Sequence, residues 1–121
     1  MSRLLILIAE DSPERLRTAL VLACTSAALG QTVRMFFQGR SVALLHLPIT
    51  DPDEEGQASA GLPTLGQLVD EATALGVSFS CCQSSLAMLG LTPAAFSPDV
   101  AWGGMTGLLA EMTPEDRLVA I

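Results

Sequence analysis

RLLILIAEDSPERLRTALVLACTSAALGQTVRMFF, residues 3–37, is the stretch that decides the fold. It opens with a short, continuously apolar run, residues 3–9, the pattern of a strand covered on both faces rather than one with a wet side. Asp11 and Ser12 then offer N-cap side chains. Pro13 suits a first helical position, and Glu14 falls in the first turn, where negative charge is favoured. Leu16, Leu20, Ala23, Cys24 and Ala27 recur at helical spacing, so a helix is expected to run to about Leu29, with Gly30 able to take the left-handed position that ends it. Residues 32–37 (TVRMFF) are a second strand. Strand, helix and strand in so short a span make a βαβ unit, which implies parallel pairing through a right-handed crossover.

Working outward, residues 41–45 read as one or two short helical turns. Residues 46–63 (HLPITDPDEEGQASAGLP) form the one stretch rich in Pro, Gly and acids, expected to be a flexible loop. Thr64 caps a helix whose stripe is Leu65, Leu68, Val69, Ala72 and Leu75, closed by Gly76. A third strand covers 77–81, and a short helix from Ser84 to Leu89 stops at Gly90. After a turn at 92–97 come a strand at 99–102, a helix at 104–112 and a fifth strand at 117–121. The expectation is a single domain over 1–121: an α/β fold of three layers (α/β/α) around a mainly parallel five-stranded sheet.

Composition limits function. Half of the residues are hydrophobic and 16% are charged, which suggests apolar surface buried between subunits, though a large core is the plainer reading. A net charge of -7, with six arginines and no lysine, argues against nucleic acid, whose phosphates need clustered cations. It also removes Schiff-base and P-loop lysine chemistry. The apolar run at 4–9 is too short to cross a bilayer, so no membrane is expected and the chain reads as cytoplasmic. Three cysteines without framework spacing fit free thiols in a reducing compartment.

In parallel α/β sheets, ligands and reactive groups gather at the carboxyl ends of strands. That rule selects Glu10-Asp11, Gln38-Gly39, Cys81-Cys82 and Trp102-Gly103-Gly104, among which the cysteines are the nucleophiles. Strand alternation puts Cys81 with apolar Val77 and Phe79, and Cys82 with Ser78 and Ser80. With Ser84 as a helix cap, Cys82 lies just outside the helix N-terminus, where unpaired N–H groups lower a thiol pKa. Two buried thiols at a strand end are the alternative. A disulfide between neighbours would strain the peptide, and no spacing suits a metal. His46, the lone imidazole, is a candidate partner for a Cys-His pair or simply a solvated loop residue. Glu10 and Asp11 are explained by capping. The opening resembles that of receiver domains, but the required third-strand aspartate and the lysine are both missing.

Cys82-x-x-Ser85-Leu86-x-x-Leu89-Gly90 resembles the C-x-x-S-M-x-x-M-G segment of the DsrE-like family of sulfur-relay proteins. TALVLACTSAALGQTVRMFFQGRSVALL and DVAWGGMTGLLAEM are similar to that family's early helix-strand-turn and late glycine-hydrophobic segments. The resemblance covers most of the chain outside 47–63; Leu86 and Leu89 replace methionines, and Cys81 stands where a small residue is usual. It implies a DsrE/F-type fold, a homotrimer or hexamer, and a cofactor-free sulfur carrier or sulfurtransferase. Cys82 would be the persulfide carrier, with Cys81 secondary and His46 a possible shield. Gln83, Ser84 and Ser85 would lie at the anion-stabilising helix N-terminus. TusA-like or rhodanese-type proteins are the implied partners. The rival classes are a non-catalytic oligomeric interaction subunit and a small-molecule pocket formed around Gly39, Trp102, Gly104 and Met105.

Overall fold

Five strands, β1 (Arg3–Ile8), β2 (Thr32–Phe37), β3 (Ser78–Cys82), β4 (Ala101–Gly103) and β5 (Arg117–Ala120), form one sheet in the computed structural model, which describes residues 2–121. Their order is β4-β3-β2-β1-β5, and every neighbouring pair is parallel. The sheet is thus wholly parallel where the sequence suggested mainly parallel, because helical or turn segments carry the chain back after each strand and no hairpin reverses one.

Helix α1 (Pro13–Ala28) joins β1 to β2. A 3₁₀ segment (Gly39–Leu45), α2 (Glu54–Ser59) and α3 (Leu65–Ala74) join β2 to β3. Helix α4 (Gln83–Met88) and a 3₁₀ turn (Pro93–Ala95) lead to β4, and α5 (Met105–Ala110) leads to β5. The direction of these steps explains the layers. From β1 to β4 the chain moves one way across the sheet, and right-handed crossovers put α1, α3 and α4 on one face. From β4 it returns past three strands to β5, so α5 falls on the other face.

Local chemistry fixes the helix starts. Ser12 Oγ accepts the Arg15 N–H at 3.1 Å, with Pro13 in the first turn. At α3, Thr64 Oγ1 accepts from Gln67 N–H (3.1 Å) while Gln67 Oε1 accepts from Thr64 N–H (2.8 Å), a reciprocal capping box. Side-chain alternation then splits the core. Ile6, Ile8, Met35, Phe37 and Phe79 pack beneath α1 and α3, while Leu5 and Phe36 face α5.

The stretch 46–63 is more ordered in kind than its composition suggests, for it carries α2. That helix buries no side chain. A polar network ties it down: Gln57 donates to Asp51 (2.7 Å) and accepts from Arg17 of α1 (2.6 Å), which also donates to the Pro63 carbonyl (2.7 Å). Apolar periodicity cannot reveal a helix held this way. Among the described residues, no helix is long and apolar enough to cross a membrane.

Candidate functional site

Strand β3 ends on Cys81 and Cys82, and alternation turns them to opposite faces of the sheet. Cys81 is 0% exposed in the α1/α3 core, with Phe37 and Trp102 as its register partners. Burial, and secondarily the neighbouring Cys82, pushes its thiol up to about 12. Such a thiol stays neutral and unreactive near neutrality. Cys24 on α1 is likewise pushed up, by burial first and then by the charge of Glu71.

Cys82 faces α5, packed with Leu5, Phe36 and Leu108, and is 6% exposed. It is itself the N-cap of α4, which begins at Gln83; Ser84, expected as the cap, lies inside the helix. The reason is that β3 runs on through Cys82, so that strand and helix abut with no residue between them. Its sulfur makes no side-chain capping hydrogen bond. Burial raises its pKa, but the Ser85 hydroxyl, the Ser85 and Ser84 backbone N–H groups and the Gln38 side-chain amide outweigh that effect, and the net shift is downward. This set of donors favours the charged sulfur.

The donors are held by a second turn. Gly39, at φ +66°, takes a left-handed conformation that glycine adopts without strain and donates its N–H to Ser85 Oγ at 2.8 Å. Buried Ser85 can therefore turn its own proton toward Cys82. Ser41 Oγ lies 2.7 Å from the Ile8 carbonyl and 2.8 Å from that of Gln38, pinning the same turn to the end of β1. Gln38 was marked by its place at a strand end, but its role as a donor was not. Its Oε1 is buried and unpartnered.

Other expected residues disperse. Gln83 and Ser84 are exposed, and Ser84 contributes only its backbone N–H. His46 closes the Gly39–Leu45 segment with its ring edge-on to Phe96 (5.7 Å), which in turn meets Trp102 (5.0 Å). That places the imidazole with the aromatic residues of the α1/α3 core, and it is not among the groups that shift Cys82. Of the four pocket residues, Trp102 and Gly104 line a cleft of about 300 Å³ beside α5; Gly39 sits at the thiol's turn, and Met105 packs on the Cys82 cluster. Among the described residues, no group of three His, Cys, Asp or Glu side chains could hold a metal ion.

The sequence profile of the DsrE/DsrF-like family matches residues 2–121. The chain belongs to this family. Among solved structures, this DsrE/DsrF-like chain is similar to the ychN protein from E. coli (TM-score 0.73, 17% identity, 100% of both chains). It is also similar to MTH1491, a protein of unknown function from Methanobacterium thermoautotrophicum (TM-score 0.72, 18% identity, 100% of both chains). At these identities the likeness shows the shared fold alone. No curated protein matches the chain. The DsrE-like family is generally linked to sulfur relay.

Proposed function

We propose that this DsrE/DsrF-like protein holds sulfane sulfur as a persulfide on Cys82 and passes it to an acceptor thiol. The observation that carries this reading is that, of the three thiols, Cys82 alone stands where a strand meets a helix, beside the buried Ser85 hydroxyl that the Gly39 turn holds at 2.8 Å. Burial drives Cys24 and Cys81 toward the inert neutral form, whereas the donors around Cys82 favour its thiolate. In the transfer, the Cys82 thiolate attacks the outer sulfur of a donor persulfide, the donor's S–S bond breaks, and the donor departs as a thiolate. Attack by an acceptor thiolate repeats the step in the other direction. The reaction asks for a depressed thiol pKa and an approach path, and no metal or organic cofactor.

The proposal extends to assembly and partners. A homotrimer or hexamer would bury apolar side chains such as Leu109 and Leu118, which are 46% and 47% exposed on the single chain. TusA-like or rhodanese-type proteins would supply or receive the sulfur. The test is mass measurement of the intact protein after incubation with polysulfide. One added sulfur on Cys82, retained in Cys81→Ser and lost in Cys82→Ser, is the expected outcome; no added mass, or mass that survives Cys82→Ser, refutes the reading.

The burial of Cys82 favours a second reading, in which the chain is a non-catalytic interaction subunit and the thiol is packing. Native alkylation separates the two. A subunit of that kind shows a Cys82 alkylation rate that rises with pH only through the ordinary thiol pKa, and takes up no sulfur from polysulfide.

A further inference from the structure

Cys82 is closed off from solvent, yet by little more than one layer of side chains. Two of its partners, Phe36 and Leu108, also line the 300 Å³ cleft between α5 and strands β2 to β4. The floor of that cleft is Ser78 and Ser80, on the same face of β3 as Cys82. Along its α5 side Gly103, Gly104 and Gly107 leave the space open, for a Cβ built on any of them would meet nothing within 4 Å. The far end is charged: Arg34 of β2 and Glu111, just beyond α5, meet at 2.9 Å through Nη1 and Oε2. One guanidinium nitrogen and one carboxylate oxygen are used, leaving groups of both signs for a ligand.

We propose that this cleft is the approach to Cys82 for a low-mass persulfide bearing an α-amino-acid group, with Arg34 taking its carboxylate, Glu111 its ammonium, and Leu108 moving to admit its sulfur. The inference rests on the carrier reading of Cys82. Charge supports it, since adjacent groups of opposite sign complement a zwitterion, and Arg34 is the cation lining the cleft of a chain with net charge -7. Size supports it too, because such a volume suits a small molecule and no folded domain. Length narrows the ligand. Arg34 pairs in register with Ser78, and the four residue steps from Ser78 to Cys82 span about 13 Å at ~3.3 Å each. Cysteine persulfide is shorter than that; a thiol peptide of tripeptide size spans it.

The wall between cleft and thiol is held unevenly. Helix α5 follows paired glycines, the second of which, Gly104, is an N-cap with no side chain to bond, whereas its far end is fastened by Arg34 and by Arg3 Nη2, which donates to the Glu111 carbonyl at 2.6 Å. The end beside Cys82 is therefore the one that yields. Once it does, the thiolate bonds to the outer sulfur of R–S–SH, whose proton stays on that sulfur; the donor's S–S bond breaks, and R–S⁻ leaves to take a proton from water.

Glutathione persulfide and cysteine persulfide present the same sulfur on a longer and a shorter frame, and sulfur mass on Cys82 is followed in time with each. Glutathione persulfide is expected to load about tenfold faster, the worth of one charge-assisted contact. Arg34→Gln should slow that donor more than cysteine persulfide and so remove the preference. Neutral iodoacetamide probes the wall without sulfur transfer: Leu108→Ala should speed alkylation of Cys82, while Val21→Ala, exposed on α1, should not. Equal loading from both donors, a preference that survives Arg34→Gln, alkylation indifferent to Leu108→Ala, or loading from a protein persulfide alone each overturns the cleft. No loading from any persulfide instead defeats the carrier reading, a result distinct from all of these.

Discussion

On the α1/α3 face, three helices cover the sheet, and β1, β2 and β3 bury Ile6, Ile8, Phe37 and Phe79 beneath them. On the opposite face a single six-residue helix, α5, covers Leu5, Phe36 and Cys82, and Leu118 of β5 is left half exposed. Two cysteines adjacent in sequence sample both environments. Cys81 shows what the thicker layer does to a thiol, pushing it up to about 12, and Cys82 shows what turns and backbone donors do at the edge of the thinner one. One face is built to exclude water. The other combines burial beneath one short helix with polar groups that can meet a charge, which is the environment a nucleophile needs.

The largest expected effect tests that division of labour. Phe37→Ala, at a position 0% exposed and stacked on Phe79 at 6.3 Å, should cost about 3–5 kcal/mol in a urea titration. In the chain dispersed to single copies by dilution, Leu118→Ala should fall within about 0.5 kcal/mol, as surface substitutions do, and the loss should grow with protein concentration as the proposed assembly forms. A comparable loss at Leu118 in the dispersed chain would break the comparison.

Next in size is the donor set. Ser85→Ala removes the hydroxyl that favours the Cys82 thiolate, so the thiol's pKa should rise back toward its ordinary value. The sign follows directly: thiolate accumulates as pH rises through the pKa, and a lowered pKa brings that rise to lower pH. The midpoint of the alkylation rate against pH should therefore lie below that of a free thiol, and below that midpoint Ser85→Ala should alkylate more slowly than wild type on the order of tenfold, the worth of one hydrogen bond to a charged group. Cys81 should stay unmodified over the same range. Equal rates for wild type and Ser85→Ala would remove the hydroxyl from the site.

Much of this was legible in the sequence, and what was not has physical causes. Strand β2 matched its expected limits, and β1 ended one residue early, because continuous apolar runs beside a well-capped helix leave few alternatives. Alternation correctly sent Cys81 and Cys82 to different faces, since a period of two survives a one-residue error in where the strand starts. The start of α4 was misread, because Ser84 has the chemistry of a cap and cysteine does not, whereas strand register decided the matter. The burial of Cys82 could not be read locally at all. It depends on the return crossover from β4 to β5, which lays a short helix preceded by two glycines over the thiol. Gly39 reaches Ser85, and Gln38 reaches Cys82, only through contacts between residues far apart in sequence.

The smallest expected effect lies at the end of β1, whose acids occupy a strand terminus just as the cysteines do. Glu10 Oε2 lies 3.4 Å from Arg15 Nε, with side chains 63% and 54% exposed, and the helix is capped by Ser12 instead. An ion pair so open to solvent contributes little, so Glu10→Gln should shift stability by less than about 0.5 kcal/mol. It should also leave sulfur loading on Cys82 unchanged. Position at a carboxyl edge is shared by both termini; only Cys82 combines it with a buried hydroxyl, backbone donors and an amide from a neighbouring turn. A loss of loading in Glu10→Gln would mean that the acids of β1 act on the thiol across the strand ends, and the site would then have to be redrawn to include them.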